Sequence, residues 1–252
     1  MSRIQTLFQH KKAYVGYLTI GVEGLENNYQ QAKALIAGGV NMLELGVPFS
    51  DPVADGVVIQ RASLRALENG ITLWDVIELA KKIRAEFDIP LIIFSYFNPL
   101  LAAKPQHWLS LAHEAGIDGV LVVDLPYEEG QSFYRLCHQH HLDAIAVITP
   151  ATPPARLQKI VKHAKGFLYY ACQKGTTGVR AGLPDDMKEK ILTIKQHSNL
   201  PVVVGFGISD RESVHSILHD AEGVVVGSRF MQAIEDKVSS TQLTELARSF
   251  TL

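Results

Sequence analysis

Short runs of apolar, often β-branched residues recur along the chain at 14–20, 40–45, 91–96, 119–123, 144–148, 167–171, 202–204 and 223–226. Several are apolar without interruption, which is the pattern of parallel strands covered on both faces. Between them lie segments whose apolar positions recur every three or four residues, at 28–37, 73–86, 107–115, 128–140, 154–163, 185–196 and 210–218. That spacing predicts amphipathic helices, with Trp74, Ile77 and Ala80 on the buried face of one of them. Asp210, ahead of Arg211-Glu212-Ser213-Val214, reads as a helix N-cap. A further short helix is expected over 60–68, and another at the N-terminus.

Eight strands alternating with helices over 252 residues predict an α/β protein, a (β/α)8 barrel occupying the chain as a single domain, 1–252. An open dinucleotide-binding sheet would carry Gly-x-Gly-x-x-Gly after its first strand. Here the turn reads Gly21-Val22-Glu23-Gly24-Leu25-Glu26, which does not match.

Composition narrows the function classes. With 24 Lys+Arg against 26 Asp+Glu there is no basic surplus for nucleic acid. No run of about 18 apolar residues predicts a membrane span, and the first seven residues lack the apolar stretch of a secretion signal. The two cysteines, Cys137 and Cys172, form neither a disulfide framework nor a zinc pattern. A cytoplasmic protein is expected. The dense Cys137-His138-Gln139-His140-His141 segment falls at a helix C-terminus, where imidazoles are favoured by the helix dipole, so no metal site is assigned to it.

The chemistry is concentrated elsewhere. Glu44 interrupts the apolar run of the second strand, where an ionised carboxylate would be costly to bury. Towards the C-terminal end of a barrel strand such a group points at the mouth, and partial burial raises its pKa as a general acid/base requires. A glutamate paired with a basic residue at the rim is the alternative. Eleven residues on, Asp55 lies in a loop of turn formers, Pro48, Pro52 and Gly56, together with Asp51. Spacing does not choose between the two aspartates.

Gly205-Phe206-Gly207 after the seventh strand and Gly227-Ser228 after the eighth suggest a phosphate cradle, which barrels often build from these two loops. The long connection 172–184 holds three glycines and reads as a lid or a plain surface loop. In the pair Tyr169-Tyr170, one ring should face the barrel and the other the helices.

Taken together, Leu43-Glu44-Leu45-Gly46-Val47-Pro48-Phe49-Ser50-Asp51-Pro52 followed by Ala54-Asp55-Gly56 closely resembles the signature of tryptophan synthase alpha chains. Gly205-Phe206-Gly207-Ile208 and Gly227-Ser228 look like that family's phosphate loops, and Gly175-Thr176-Thr177-Gly178 like its lid. The resemblance implies retro-aldol cleavage of indole-3-glycerol phosphate to indole and glyceraldehyde 3-phosphate, in tryptophan biosynthesis. It assigns Glu44 as acid/base, Asp55 as the partner of the indole N–H, and Tyr169 as an assisting group beside the reacting carbon. Thr177 would orient the aspartate on lid closure, and Gly178, Gly207, Gly227 and Ser228 would hold the phosphate. Tyr17, Phe94, Leu121, Val123 and Val147 match the indole pocket.

The family further implies a tetramer with a beta subunit. The pyridoxal phosphate would belong to that partner, and this chain would need no cofactor or metal. A stand-alone indole-releasing lyase, another phosphate-binding barrel enzyme and a non-catalytic activating subunit are the other readings. Where the family commonly has Asp-Pro, this chain has Val22-Glu23; Val57 stands in place of a proline, and Cys172 and Thr176 replace a serine and a valine.

Overall fold

The structure is a computed structural model and describes residues 2–172, 184, 186–205, 208 and 210–251. The predicted strands all form, with ends moved by no more than two residues: β1 (Ala13–Thr19), β2 (Met42–Gly46), β3 (Leu91–Ser95), β4 (Gly119–Val122), β5 (Asp143–Ile148), β6 (Leu168–Ala171), β7 (Val202–Gly205) and β8 (Gly223–Val226). They pair in parallel in sequence order, and β8 pairs with β1 to close an eight-stranded barrel. Because both faces of every strand are covered, almost every strand residue is buried.

The helices are α1 (Arg3–His10), α2 (Leu25–Ala37), α3 (Val57–Glu68), α4 (Leu73–Arg84), α5 (Phe97–Ala102), α6 (Pro105–Glu114), α7 (Tyr127–Gln139), α8 (Pro154–Val161), α9 (Met187–His197), α10 (Arg211–Asp220), α11 (Ser228–Glu235) and α12 (Ser240–Ser249). Asp210 caps α10 as expected, its carboxylate accepting from the Ser213 N–H at 2.8 Å. Helices α5, α11 and α12 had no counterpart in the periodicity. On α4, Ile77 and Ala80 are buried as expected, but the expected burial of Trp74 needs correction. Its buried residues are Leu73, Val76, Ile77, Leu79, Ala80 and Ile83, while Trp74 is 42% exposed. Six aliphatic positions set the helix phase, and one large ring did not outweigh them.

Helix α1 sits at the N-terminal end of the barrel, where Ile4 is fully buried and Phe8 packs on Phe167. Asp118 anchors this end: it accepts from the Leu91 N–H at 2.9 Å, from Arg84 at 2.9 Å and from Arg3 at 3.2 Å. At the other side of the chain, α12 lies on α2 and β1, with the Tyr14 hydroxyl donating to the Ala247 carbonyl at 2.8 Å. Gly38 of the α2 terminus leaves room for this contact, since a Cβ there would overlap Ala247.

Candidate active site

In a sheet, residues directly opposite each other on neighbouring strands face the same side. The register aligns Tyr17 with Glu44 and Ile92, Phe94 with Leu121 and Ile145, and Val147 with Tyr169 and Val203. Phe94 lies two residues beyond Ile92, so these rows share one face. The rings of Tyr17 and Phe94 meet edge to face at 5.1 Å, and Phe94 lies 6.5 Å from Tyr169. Rings from β1, β3 and β6 can touch only across the barrel interior, so this is the inward face. Of the predicted pocket residues, Tyr17, Phe94 and Leu121 are buried, and Val123 and Val147 are half-buried. Tyr169 points inward and Tyr170 outward against α8 and α9, beside Leu157 and Ile194.

Small residues make room for the tyrosines. A Cβ on Gly46 would overlap the Tyr17 hydroxyl, and one on Gly205 would overlap that of Tyr169. Tyr17 is further fixed by a 3.1 Å hydrogen bond between its hydroxyl and the Thr19 hydroxyl.

Among these rings stands Glu44, completely buried, and among the described residues neither carboxyl oxygen has a hydrogen-bond partner. The expected alternative, an ion pair at the rim, is absent among the described residues. Burial alone pushes the Glu44 carboxyl up to about 8. Both inward tyrosines are raised well above their ordinary range, first by burial, with Glu44 and Asp55 adding to the effect.

The loop after β2 separates the two aspartates that spacing could not. Asp51 is exposed, whereas Asp55 is 3% exposed. The loop is held by Val53 N–H to the Asp51 carbonyl and Asp55 N–H to the Pro52 carbonyl, both at 2.9 Å. Gln60, one turn into α3, donates to the Asp55 carbonyl at 2.8 Å. Burial raises the Asp55 carboxyl to about 6, opposed by a 2.9 Å hydrogen bond from the Tyr96 hydroxyl. Sequence reasoning missed Tyr96. The available signal was its place two residues after Phe94, on the same face just beyond β3.

At the loop expected to hold phosphate, Gly227 caps α11 and its carbonyl accepts the first helical bond, from the Met231 N–H at 3.0 Å. Ser228 opens the helix, whose first N–H groups have no partner within it. Gly227 has an ordinary negative φ of −123°. The residue is small for closeness: a Cβ would stand 3.3 Å from Tyr17 Cβ, so the helix start abuts the aromatic pocket. The predicted Thr177, Gly178 and Gly207 lie outside the described residues.

Among the described residues no group of three or more His, Cys, Asp or Glu could hold a metal ion. In the histidine-rich segment, Cys137 is buried and His140 meets the Ser110 hydroxyl at 3.0 Å. A crevice of about 970 Å³ surrounds α1 at the opposite end of the barrel. Asp88, Asp118 and Asp143, which line it, already bond to Arg3, Arg84 and Ser2, as suits a stabilising end. No described helix is long and apolar enough to cross a membrane.

Comparison with known proteins agrees with this geometry. The family profile described as tryptophan synthase alpha chain matches residues 4–250. The tryptophan synthase alpha chain of Coxiella burnetii is 49% identical over 249 residues, covering 99% of this chain and 97% of its own. The crystal structure of the alpha subunit from Legionella pneumophila superposes with a TM-score of 0.89 at 34% identity, covering 99% and 97% of the two chains. A chain from Pyrococcus furiosus, solved in a study of mutual activation of its tryptophan synthase a2b2 complex, gives a TM-score of 0.89 at 34% identity over 95% and 98%. A profile match over residues 4–250 and a relative 49% identical nearly end to end place this closed barrel in the tryptophan synthase alpha chain family.

Proposed function

We propose that this chain, working as one barrel domain, cleaves indole-3-glycerol phosphate to indole and glyceraldehyde 3-phosphate. The observation that carries the reading is Glu44, buried among aromatic rings, with no hydrogen-bond partner for either oxygen among the described residues and its carboxyl raised to about 8. At neutral pH it is an uncharged acid among the aromatic side chains of the barrel interior. Asp55, raised only to about 6, is ionised at the same pH. Two carboxyls with separated proton affinities supply an acid and an anion at one pH.

In the proposed reaction Glu44 transfers its proton to the ring carbon bearing the glycerol chain. Asp55 accepts a hydrogen bond from the indole N–H and stabilises the positive charge that the ring gains. The Glu44 carboxylate then takes the proton of the adjacent glycerol hydroxyl. The carbon–carbon bond breaks, its electron pair returns to the ring, and the hydroxyl carbon becomes the aldehyde. Glu44 ends protonated, as it began. Tyr169 packs beside the reacting carbon, Tyr17, Phe94, Leu121, Val123 and Val147 enclose the ring, and Gly227 and Ser228 hold the phosphate. Gly207, Gly178 and the lid residue Thr177 belong to the same proposal through the family resemblance. Each acid/base group contributes about 10²–10⁴-fold.

The indole passes to a tryptophan synthase beta subunit, which carries the pyridoxal phosphate, in an alpha2-beta2 assembly. The a2b2 complex of the Pyrococcus furiosus relative supports this. So do Val53 and Val57, 63% and 64% exposed on and beside the Asp55 loop, which are apolar surface at the barrel mouth. We place the reaction in the cytoplasm, where a buried free thiol such as Cys137 stays reduced.

The test is indole release by the purified chain, alone and with a beta subunit, beside Glu44→Gln and Asp55→Asn. Weak release alone, strong stimulation by the partner and near-complete loss in both variants are expected. No release by the wild-type chain with a demonstrably bound partner overturns the reading.

A further inference from the structure

We infer that Tyr96 is the positioning residue for Asp55, fixing which carboxylate oxygen receives a protein hydrogen bond and which is left for the substrate. The inference rests on the lyase reading for the identity of that substrate, while its geometry stands independently. The Tyr96 hydroxyl makes two contacts: the Ala54 N–H at 3.0 Å and Asp55 Oδ2 at 2.9 Å. A backbone N–H can only donate, so Oη must accept there, and its single proton is committed to Oδ2. Oδ2 therefore meets the hydroxyl as an acceptor. Among the described residues no hydrogen bond reaches Oδ1, which is the oxygen available to an indole N–H.

The hydroxyl is itself well placed. Tyr96 is 3% exposed, its ring packs on Phe49 at 5.1 Å, and it follows β3 on the face that carries Phe94. One oxygen thus pins two consecutive loop residues to the barrel wall. The other titratable groups around the pair are Glu44 on β2, Tyr17 on β1 and Tyr169 on β6, with Asp124, beyond β4, acting on Tyr96. Burial keeps the two inward tyrosines and Glu44 in their neutral forms near pH 7. Among the described residues, Tyr96 is the only one that donates a hydrogen bond to the Asp55 side chain.

Tyr96→Phe preserves the ring and removes the donor. Two measurements test the inference. Titration of the Asp55 carboxyl by carbon-13 NMR, on chain labelled at aspartate, should show its midpoint rising above the wild-type value. The acidic limb of the kcat/KM profile for indole release should rise with it. At neutral pH kcat/KM should fall about tenfold, the size expected for one hydrogen bond to a charged group. In an Asp55→Asn background the same substitution should cost almost nothing, because its effect acts through the carboxylate.

An unmoved Asp55 midpoint in Tyr96→Phe overturns the inference, as does a full additional loss in the Asp55→Asn background. If the wild-type chain releases no indole yet the midpoint still rises, the lyase reading falls and the Tyr96–Asp55 geometry survives.

Discussion

The hydroxyl of Tyr169 occupies, on the neighbouring strand, the space a side chain on Gly205 would need. A missing side chain on β7 therefore fixes where the β6 ring lies. Gly205→Ala should push the ring off this position at an overpacking cost of about 1–3 kcal/mol. The expected outcome is a barrel with unchanged far-ultraviolet circular dichroism and at least a several-fold lower kcat for indole release. Full activity in the variant would show that the ring's position is immaterial.

The acid pair sets a pH window. In the proposed reaction Asp55 acts ionised, which fails as pH falls through about 6, and Glu44 acts protonated, which fails as pH rises through about 8. The kcat/KM of the free chain should be bell-shaped between those limits. A profile flat from pH 5 to 9 would remove one or both carboxyls from the chemistry.

The same burial carries a stability consequence of unusual sign. The folded protein binds the Glu44 proton more tightly than the unfolded chain does, since the carboxyl is raised from 4.5 to about 8. Below about 4.5 both states are protonated and nothing is lost. Between 4.5 and about 8 only the folded state holds the proton, so stability falls as pH rises. Glu44→Met removes both the penalty and two oxygens without a hydrogen-bond partner among the described residues. It should melt several degrees higher than wild type at pH 8.5, with a smaller gain at pH 5.

The opposite end of the barrel should behave in the reverse way. Asp118→Ala leaves Arg84 and the Leu91 N–H without their buried acceptor. The expected loss is about 3–5 kcal/mol in denaturant unfolding. KM for the folded fraction should stay where it was, because Asp118 lies at the N-terminal end of the strands.

Association with the beta subunit can be probed at Val57. It is the first residue of α3 and 64% exposed. An acidic residue there is favoured by the helix dipole, so Val57→Glu should fold normally. It should nonetheless weaken beta-subunit binding about tenfold by calorimetry, by placing a charge in an apolar contact.

How much of this was legible in the sequence depended on where the controlling interaction lay. The strands were legible because each is a local apolar run needing no knowledge of its neighbours. Glu44 was legible because one acid stands out in such a run. Asp51 and Asp55 could not be told apart, since the difference lies in Tyr96, 41 residues beyond Asp55, which binds only one of them. Tyr96 looked like ordinary core for the same reason. Trp74 misled because a ring at helical spacing reads as core, although six aliphatic neighbours set a phase that exposes it, and α5, at six residues, is too short for periodicity to register. The Gly227–Tyr17 approach joins the last strand to the first, so no local pattern could announce it.

Closure of β8 onto β1 has a temporal consequence. During synthesis, the first strand emerges some two hundred residues before its final partner exists. Until then β1 offers an unpaired edge, a template for pairing with the wrong chain. Glu44 and Asp55 are made early and the proposed phosphate-binding start of α11, after β8, late, so the nascent chain holds both carboxyls without a complete place to bind a substrate. Competence arrives only when the last strand seals the first, and the ring closure that removes the exposed edge also completes the pocket.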